Sequence, residues 1–247
     1  MRAVLRVQRL LRNGFIAAAC VLASYAHASV VVVGTRVIYN QEDPEVTVKL
    51  TNQGASPGLV QVWIDKGDPK AEPSSIKVPF IVTPPVSRID PGKGQTLRII
   101  HMGAPEIKDR ESVYWLNVLE IPPVANEQDA NRLQFAFRTR IKLFFRPTGL
   151  TGSPEQAPAG IAWHMTQSSG SPSLRAYNPS AYSVSFSRLD VSDGRETASF
   201  TEGGMLAPGE TRQFPLTGAR AISESASVHY EFINDYGGLA KGEAPLK

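Results

Sequence analysis

The stretch Leu133-Gln134-Phe135-Ala136-Phe137-Arg138-Thr139-Arg140-Ile141-Lys142-Leu143-Phe144-Phe145-Arg146-Pro147 decides how the rest of the chain is read. Leu133, Phe135 and Phe137 fall on alternate positions, with Thr139 and Ile141 continuing the row, which is the period of a β-strand. Arg132, Arg138, Arg140, Lys142 and Arg146 add five positive charges to this region and no negative one. Two readings stand side by side. The stretch is a core strand whose arginines point to solvent, or it is an edge that another chain pairs with, a hazard unless a partner covers it.

Working outward, strand-like runs recur at Val30–Val33, Val37–Tyr39, the alternating Val46–Leu50, Leu59–Ile64, Phe80–Val82, Leu97–Ile100 and Val113–Ile121. Turn-forming clusters such as Asp68-Pro69 and Asp90-Pro91-Gly92-Lys93-Gly94 separate these runs. Short strands at this spacing predict an antiparallel sandwich of immunoglobulin type. Residues 149–160 are small, turn-rich and without period, which suits a linker or an interdomain crossing. Beyond them Ile161–Met165, Leu174–Tyr177, Tyr182–Val191, Arg212–Leu216 and Val228–Ile233 predict a second β-domain. The expected division is an N-terminal domain over residues 29–148 and a C-terminal one over 149–247.

The 247 residues carry a formal net charge of +3 and a sequence pI near 9.0. That balance suggests a nucleic-acid or anionic-membrane partner, and the N-terminus removes the suggestion. Arg2, Arg6, Arg9 and Arg12 precede an apolar run from Phe15 to Ala23 and then Ala26-His27-Ala28, the pattern of a signal peptide cleaved after residue 28. The run is shorter than the ~20 residues a membrane span needs. Without residues 1–28, Lys+Arg falls from 26 to 22 against 23 acids, a net charge of −1. The single cysteine, Cys20, leaves with the segment, so the exported chain has no thiol to pair or react in an oxidising compartment. Neither nucleic acid nor a later transmembrane segment is expected.

No catalytic constellation is legible. Gly54-Ala55-Ser56-Pro57-Gly58 fits the G-x-S-x-G pattern, but that elbow needs a helix after it, and a strand follows at Leu59–Ile64. A hairpin connection is expected there instead. His101, His164 and His229 lack metal-ligand spacing and read as surface or cross-strand residues. Asp190 and Asp193 lack the ligand ladder of a calcium loop. No cofactor, metal or enzymatic activity is expected.

Three segments together resemble the periplasmic chaperones of the chaperone–usher pilus pathway: Gly34-Thr35-Arg36-Val37-Ile38-Tyr39, the whole of Asp109–Pro123, and Arg140-Ile141-Lys142-Leu143-Phe144-Phe145-Arg146-Pro147. Phe80–Pro85, Tyr177-Asn178-Pro179 and Ile233-Asn234-Asp235-Tyr236-Gly237-Gly238 extend the resemblance over nearly all of residues 29–247. It implies an all-β protein of two immunoglobulin-like sandwiches in an L, with a cleft between them. It implies donor-strand complementation, for which this family is itself a standard example: a strand at about 133–141 fills the groove of an incomplete pilus subunit. Leu133, Phe135 and Phe137 would enter the subunit's pockets, with Ile141 near the anchored end. Arg36 and Lys142 would hold the subunit's C-terminal carboxylate, and Glu111, Arg146 and Asp235 would form interdomain ion pairs. The implied partners are pilus subunits (pilins and the adhesin), an outer-membrane usher and, for the free chaperone, a second copy in a self-capping homodimer. The implied compartment is the periplasm.

Two features depart from the commonest form of the family. Phe135 and Phe137 are bulkier than the usual aliphatic donors, which implies a subunit with deeper or fewer pockets. Only nine residues separate Pro123 from Leu133, which resembles the short-loop subclass serving composite pili. Two other classes are weighed against this reading. A pilus subunit is disfavoured by two domains and no cysteine after residue 28; a β-sandwich hydrolase would lose turnover in Ser56→Ala, and a glycan-binding module would bind glycan without a protein partner.

Overall fold

The computed structural model describes residues 29–122, 135–168, 171–219, 223 and 226–246. The expected signal peptide, Cys20 and Leu133 lie outside the described residues. The rest is two immunoglobulin-like β-sandwiches. No helix is long and apolar enough to cross a membrane among the described residues.

In the N-terminal sandwich, β1 (Val30–Val32), β3 (Val46–Asn52), β7 (Gly94–His101) and β5 (Phe80–Thr83) form one sheet in that order. The other runs β2 (Arg36–Asn40), β9 (Phe137–Arg146), β8 (Ser112–Ile121), β4 (Gly58–Asp65) and β6 (Val86–Ile89). Pairing is antiparallel throughout this domain except for β2 on β9, which is parallel. β1 and β2 are consecutive yet lie in different sheets, and Gly34 in their junction takes φ +105°, a backbone that side-chain-bearing residues rarely adopt. Alternate residues of the central strands meet between the sheets: Leu50, Val60, Leu97, Ile99, Leu116 and Leu143 are fully buried there. His101 belongs to this sandwich as a cross-strand residue opposite Phe80, stacked on the Phe145 ring with centroids 4.2 Å apart. Burial lowers its pKa.

The hairpin expected at Gly54–Gly58 is not one. β3 pairs with β1 and β7, β4 with β8 and β6, so the loop carries the chain from one sheet to the other. Asn52 holds this crossing. Its buried amide donates to the carbonyls of Ser56 and Ile89 and accepts from the Gly54 N–H, supplying the partners that a hairpin ladder would otherwise provide.

The C-terminal sandwich sets β10 (Ala162–Ser168), β11 (Ser171–Tyr177) and β15 (Thr211–Pro215) against a sheet of order β16 (Thr217–Gly218), β13 (Thr197–Phe200), β12 (Val184–Ser192), β17 (Ser227–Ile233) and β18 (Leu239–Pro245); β14 (Gly204–Leu206) also pairs with β12. Trp163, Leu174, Leu189, Val191, Phe214 and Val228 fill its core. Residues 149–160 are not a free linker: Ala157 is buried in this core and Leu150 packs against it. β6, β13, β14, β16 and β18 carry weak sequence signals and are strands because a neighbour supplies the ladder. β18 pairs residue for residue with β17, and at Gly242 a Cβ would lie 2.4 Å from the Tyr230 ring, so only glycine fits.

Candidate functional site

β9 is built in two halves. On one edge it pairs with β8 from Phe137 to Phe145, but β2 covers the other edge only from Lys142 to Arg146. Among the described residues nothing pairs with the open edge over Phe137–Ile141. The odd-numbered face divides at nearly the same place. Leu143 and Phe145 are core residues, whereas Phe137 is 54% exposed and Phe135 59%, their ring centroids 6.3 Å apart. Ile141, expected with the free row, is instead only 9% exposed and packs in the N-terminal core. It lies one residue before the segment covered by β2, where the sandwich interior has already closed over the strand. The described free face therefore consists of Phe135, Phe137 and the exposed Thr139.

Where the open edge ends, two cations meet. Arg36 begins β2 and is the parallel register partner of Lys142. Their side chains leave the sheet on the face away from the core, the face that buries Phe144 against the second domain. Arg36 Nη1 donates to the Ile233 carbonyl (2.8 Å), its guanidinium lies 5.3 Å from the Phe144 ring centroid, and its buried Nε has no hydrogen-bond partner. Lys142 Nζ donates to Ser185 Oγ across the domain border (3.1 Å). Burial, then the nearby charges of Arg36 and Arg212, depress the Lys142 ammonium to about 8. Burial also lowers Arg36, against the opposing pull of Asp235 and Glu111. Among the described residues Lys142 makes no ion pair, which makes it a charge in want of an anion. A crevice of about 100 Å³, lined by Arg36, Phe144, Arg146, Ile233, Asp235 and Tyr236 among others, opens beside Arg36 between the domains.

Sequence reasoning missed Arg212. It reaches Met205 O through Nη1 (3.0 Å), and Met205 pairs in register with Ser185, so it adds a third cation to the Lys142 neighbourhood. It sits in a short polar-looking strand with no motif around it, and only the packing of β14, β12 and β15 brings it there.

The structure draws Glu111, Arg146 and Asp235 together at the domain junction. Arg146 Nε donates to Glu111 Oε2 (2.8 Å), and its two terminal nitrogens grip Asp235 bidentately at 2.6 and 2.8 Å. Glu111 Oε1 accepts from the Ser183 N–H of the second domain (3.0 Å). Burial costs Arg146, but the hydrogen bonds and charges of Asp235 and Glu111 outweigh it and raise its pKa. Glu111, 3% exposed, bears the loss of water: burial pushes its carboxyl up, and Arg146 and the Ser183 amide only partly offset that. One guanidinium thus joins a strand of the first domain to a β17–β18 turn of the second.

Both halves of the chain match known families. Residues 29–151 match the family described as pili and flagellar-assembly chaperone, PapD N-terminal domain. Residues 156–244 match the pili assembly chaperone PapD, C-terminal domain. The probable fimbrial chaperone YadV of Escherichia coli K12 is 47% identical over 229 residues, covering 91% of this chain and 92% of that protein. The chaperone protein FimB/FhaD of Bordetella pertussis is 44% identical over 230 residues, 91% of each. The crystal structure of YadV superposes with a TM-score of 0.76 at 43% identity, covering 88% of this chain and all of that one. From its first sandwich to its last strand, then, the chain belongs to the PapD-type pilus-assembly chaperones of the chaperone–usher pathway.

Proposed function

We propose that the chain acts in the periplasm, where it binds folding pilus subunits by lending them the open half of β9, anchors their C-terminal carboxylate at Arg36 and Lys142, and passes them to an outer-membrane usher. The observation that carries the reading is the coincidence of three features along one edge of β9: an open ladder at Phe137–Ile141, an unburied aromatic face at Phe135 and Phe137, and two cations where β2 closes the edge. A strand entering that edge with its C-terminus at Lys142 runs parallel to β9, in line with β2, so its carboxylate meets the start of β2 at Arg36. Burying the exposed half of the two phenylalanines contributes roughly 2–3 kcal/mol of gross transfer energy, and ladder pairing sets the register because a one-residue slip would turn the rings to solvent. Without a subunit, the same edge is available to a second copy of the chain.

The reading is tested by co-expressing the chain with candidate pilins and asking which is recovered as a soluble 1:1 complex. The pair of changes Phe135→Ser and Phe137→Ser is expected to reduce recovery at least tenfold without unfolding the sandwich, since neither ring is in its core. Undiminished recovery would remove the donor strand from the mechanism.

A pH dependence follows from Lys142. A lysine depressed below its unfolded value of 10.5 makes the free fold gain stability as pH rises from about 8 toward 10.5, because over that window only the unfolded chain keeps the proton. Carboxylate binding needs the charged form, so the sign for affinity is opposite. Affinity is expected to be flat from pH 6 to 7.5 and to fall by up to about tenfold per unit above pH 8. Lys142→Arg, charged at every pH used, is expected to flatten the profile; titrating the dissociation constant of both proteins between pH 6 and 9.5 decides it.

A further inference from the structure

The even-numbered face of the free half of β9 holds a polar network on the side of the sheet opposite the core, buried at Asp65 and Asn117 and reaching the surface at Arg138. Arg138 donates through Nε and Nη2 to Asn117 Oδ1 (2.9 and 2.6 Å) and through Nη1 to the Pro69 carbonyl (2.6 Å), with its guanidinium 4.8 Å from the Trp63 ring centroid. Arg140 donates to Asp65 through Nη2 (2.5 Å) and Nε (3.3 Å) and lies 4.2 Å from the Trp115 ring centroid. Asn117 Nδ2 completes the link by donating to Asp65 Oδ2 (2.8 Å), and the Gly67 N–H donates to Oδ1 (2.6 Å). Asp65 is 1% exposed and Asn117 fully buried. Burial pushes the Asp65 carboxyl up, yet the hydrogen bonds from Arg140, Asn117 and Gly67 together hold it below the ordinary carboxylate range.

The hydrophobic core between the sheets is assembled without these groups, with β9 entering it through Ile141, Leu143 and Phe145. Among the described residues the free half lacks what secures an ordinary strand: one edge is open, and on its odd face Phe137 and Thr139 stay exposed ahead of the buried Ile141. Such a segment opens locally at little cost, and each opening must be reversed before a partner can pair with it. The network supplies from the back of the strand what is missing from its front and edge.

We infer that Asp65, Asn117, Arg138 and Arg140 are positioning residues: they clamp the free half of β9 onto β8 and β4 as a preformed template for an incoming strand. The template role rests on the subunit-binding reading above, while the clamp itself is testable in the free protein. In Asp65→Asn, and separately in Arg138→Gln with Arg140→Gln, hydrogen exchange at the β9 amides of residues 137–141 is expected to rise at least tenfold. Exchange in β3 and β7 should stay within about twofold. With the pilin that the wild-type chain recovers as a 1:1 complex, both variants should bind about tenfold more weakly, chiefly through slower association, because pairing restores the strand once the complex forms.

Unchanged exchange at 137–141 in both variants overturns the clamp. So does a rise that extends equally through β3 and β7, which would make the network a support of the whole domain. A confined rise with an unchanged association rate overturns the template role. If the wild-type chain recovers no pilin at all, the subunit-binding reading and the template role fall together, and the exchange arm still decides the clamp.

Discussion

A chain carrying Arg36→Ala and Lys142→Ala together is expected to fold normally and to lose pilin capture by roughly two to four orders of magnitude. Each side chain would give a carboxylate a charge-assisted hydrogen bond of ~1.5–3 kcal/mol, and the two together ~3–6 kcal/mol. Capture would fail through lost affinity, because neither residue supports the core. Lys142 is expected to oppose folding at neutral pH, because its charge sits in a half-buried site beside Arg36 and Arg212 and no acid is paired to it among the described residues. Lys142→Met is therefore expected to match or exceed the wild-type melting temperature while binding at least tenfold more weakly, a separation of stability from function that a structural lysine would not produce. Both make a hydrogen bond to the second domain, but Arg36 has Asp235 and Glu111 nearby where Lys142 has only cations, so Arg36→Ala should cost a modest amount of interdomain stability. Calorimetry and pilin titration of the three variants decide the matter; capture within threefold of wild type in the double variant would sink the anchor.

Arg146→Ala is expected to be the most damaging single change to the fold. It strands the Glu111 carboxylate, almost wholly buried, and leaves Asp235 facing the other domain without its cation. Removing one partner of a buried ion pair costs ~3–5 kcal/mol. Protonation of Glu111, already pushed upward by burial, is the cheapest relief, so the loss should shrink at low pH. Arg146→Lys should rescue little, because an ammonium cannot span Glu111 and both oxygens of Asp235. Because these groups bridge the sandwiches, calorimetry should resolve separate domain transitions and small-angle scattering a broader range of shapes. A single transition within about 2 °C of wild type would show that the packing of Phe144 and its neighbours alone sets the domain arrangement.

Period-2 alternation made the sandwich class legible, as inward and outward residues alternate wherever a sheet has one buried face. Resemblance to the chaperone family, carried by short motifs, supplied Arg36, Lys142, Glu111, Arg146 and Asp235 as candidates. Alternation could not say where along β9 the buried face stops. Ile141 and Phe137 share one row, and the covering sheet, absent from any local pattern, buries the first and leaves the second exposed. The hairpin misread at Gly54–Gly58 has the same origin: two adjacent strands and a turn look alike whether the chain stays in its sheet or crosses to the other.

Arg138 and Arg140 make the division clearest. In sequence they are basic flanks on a long strand, as well suited to solvent as to anything else. In the structure they are held by Asp65 and Asn117 and stacked over Trp63 and Trp115, residues that lie 21 to 75 positions away. By itself the sequence determined most of the strands, the alternation of their faces and the family to which they belong, because these depend on local periodicity and short motifs. Only the tertiary structure decided which edge of β9 stays open, where its apolar face ends, and which charges are paired. Those depend on which distant strands come to lie beside it, and pairing across a sheet leaves no local trace in the chain.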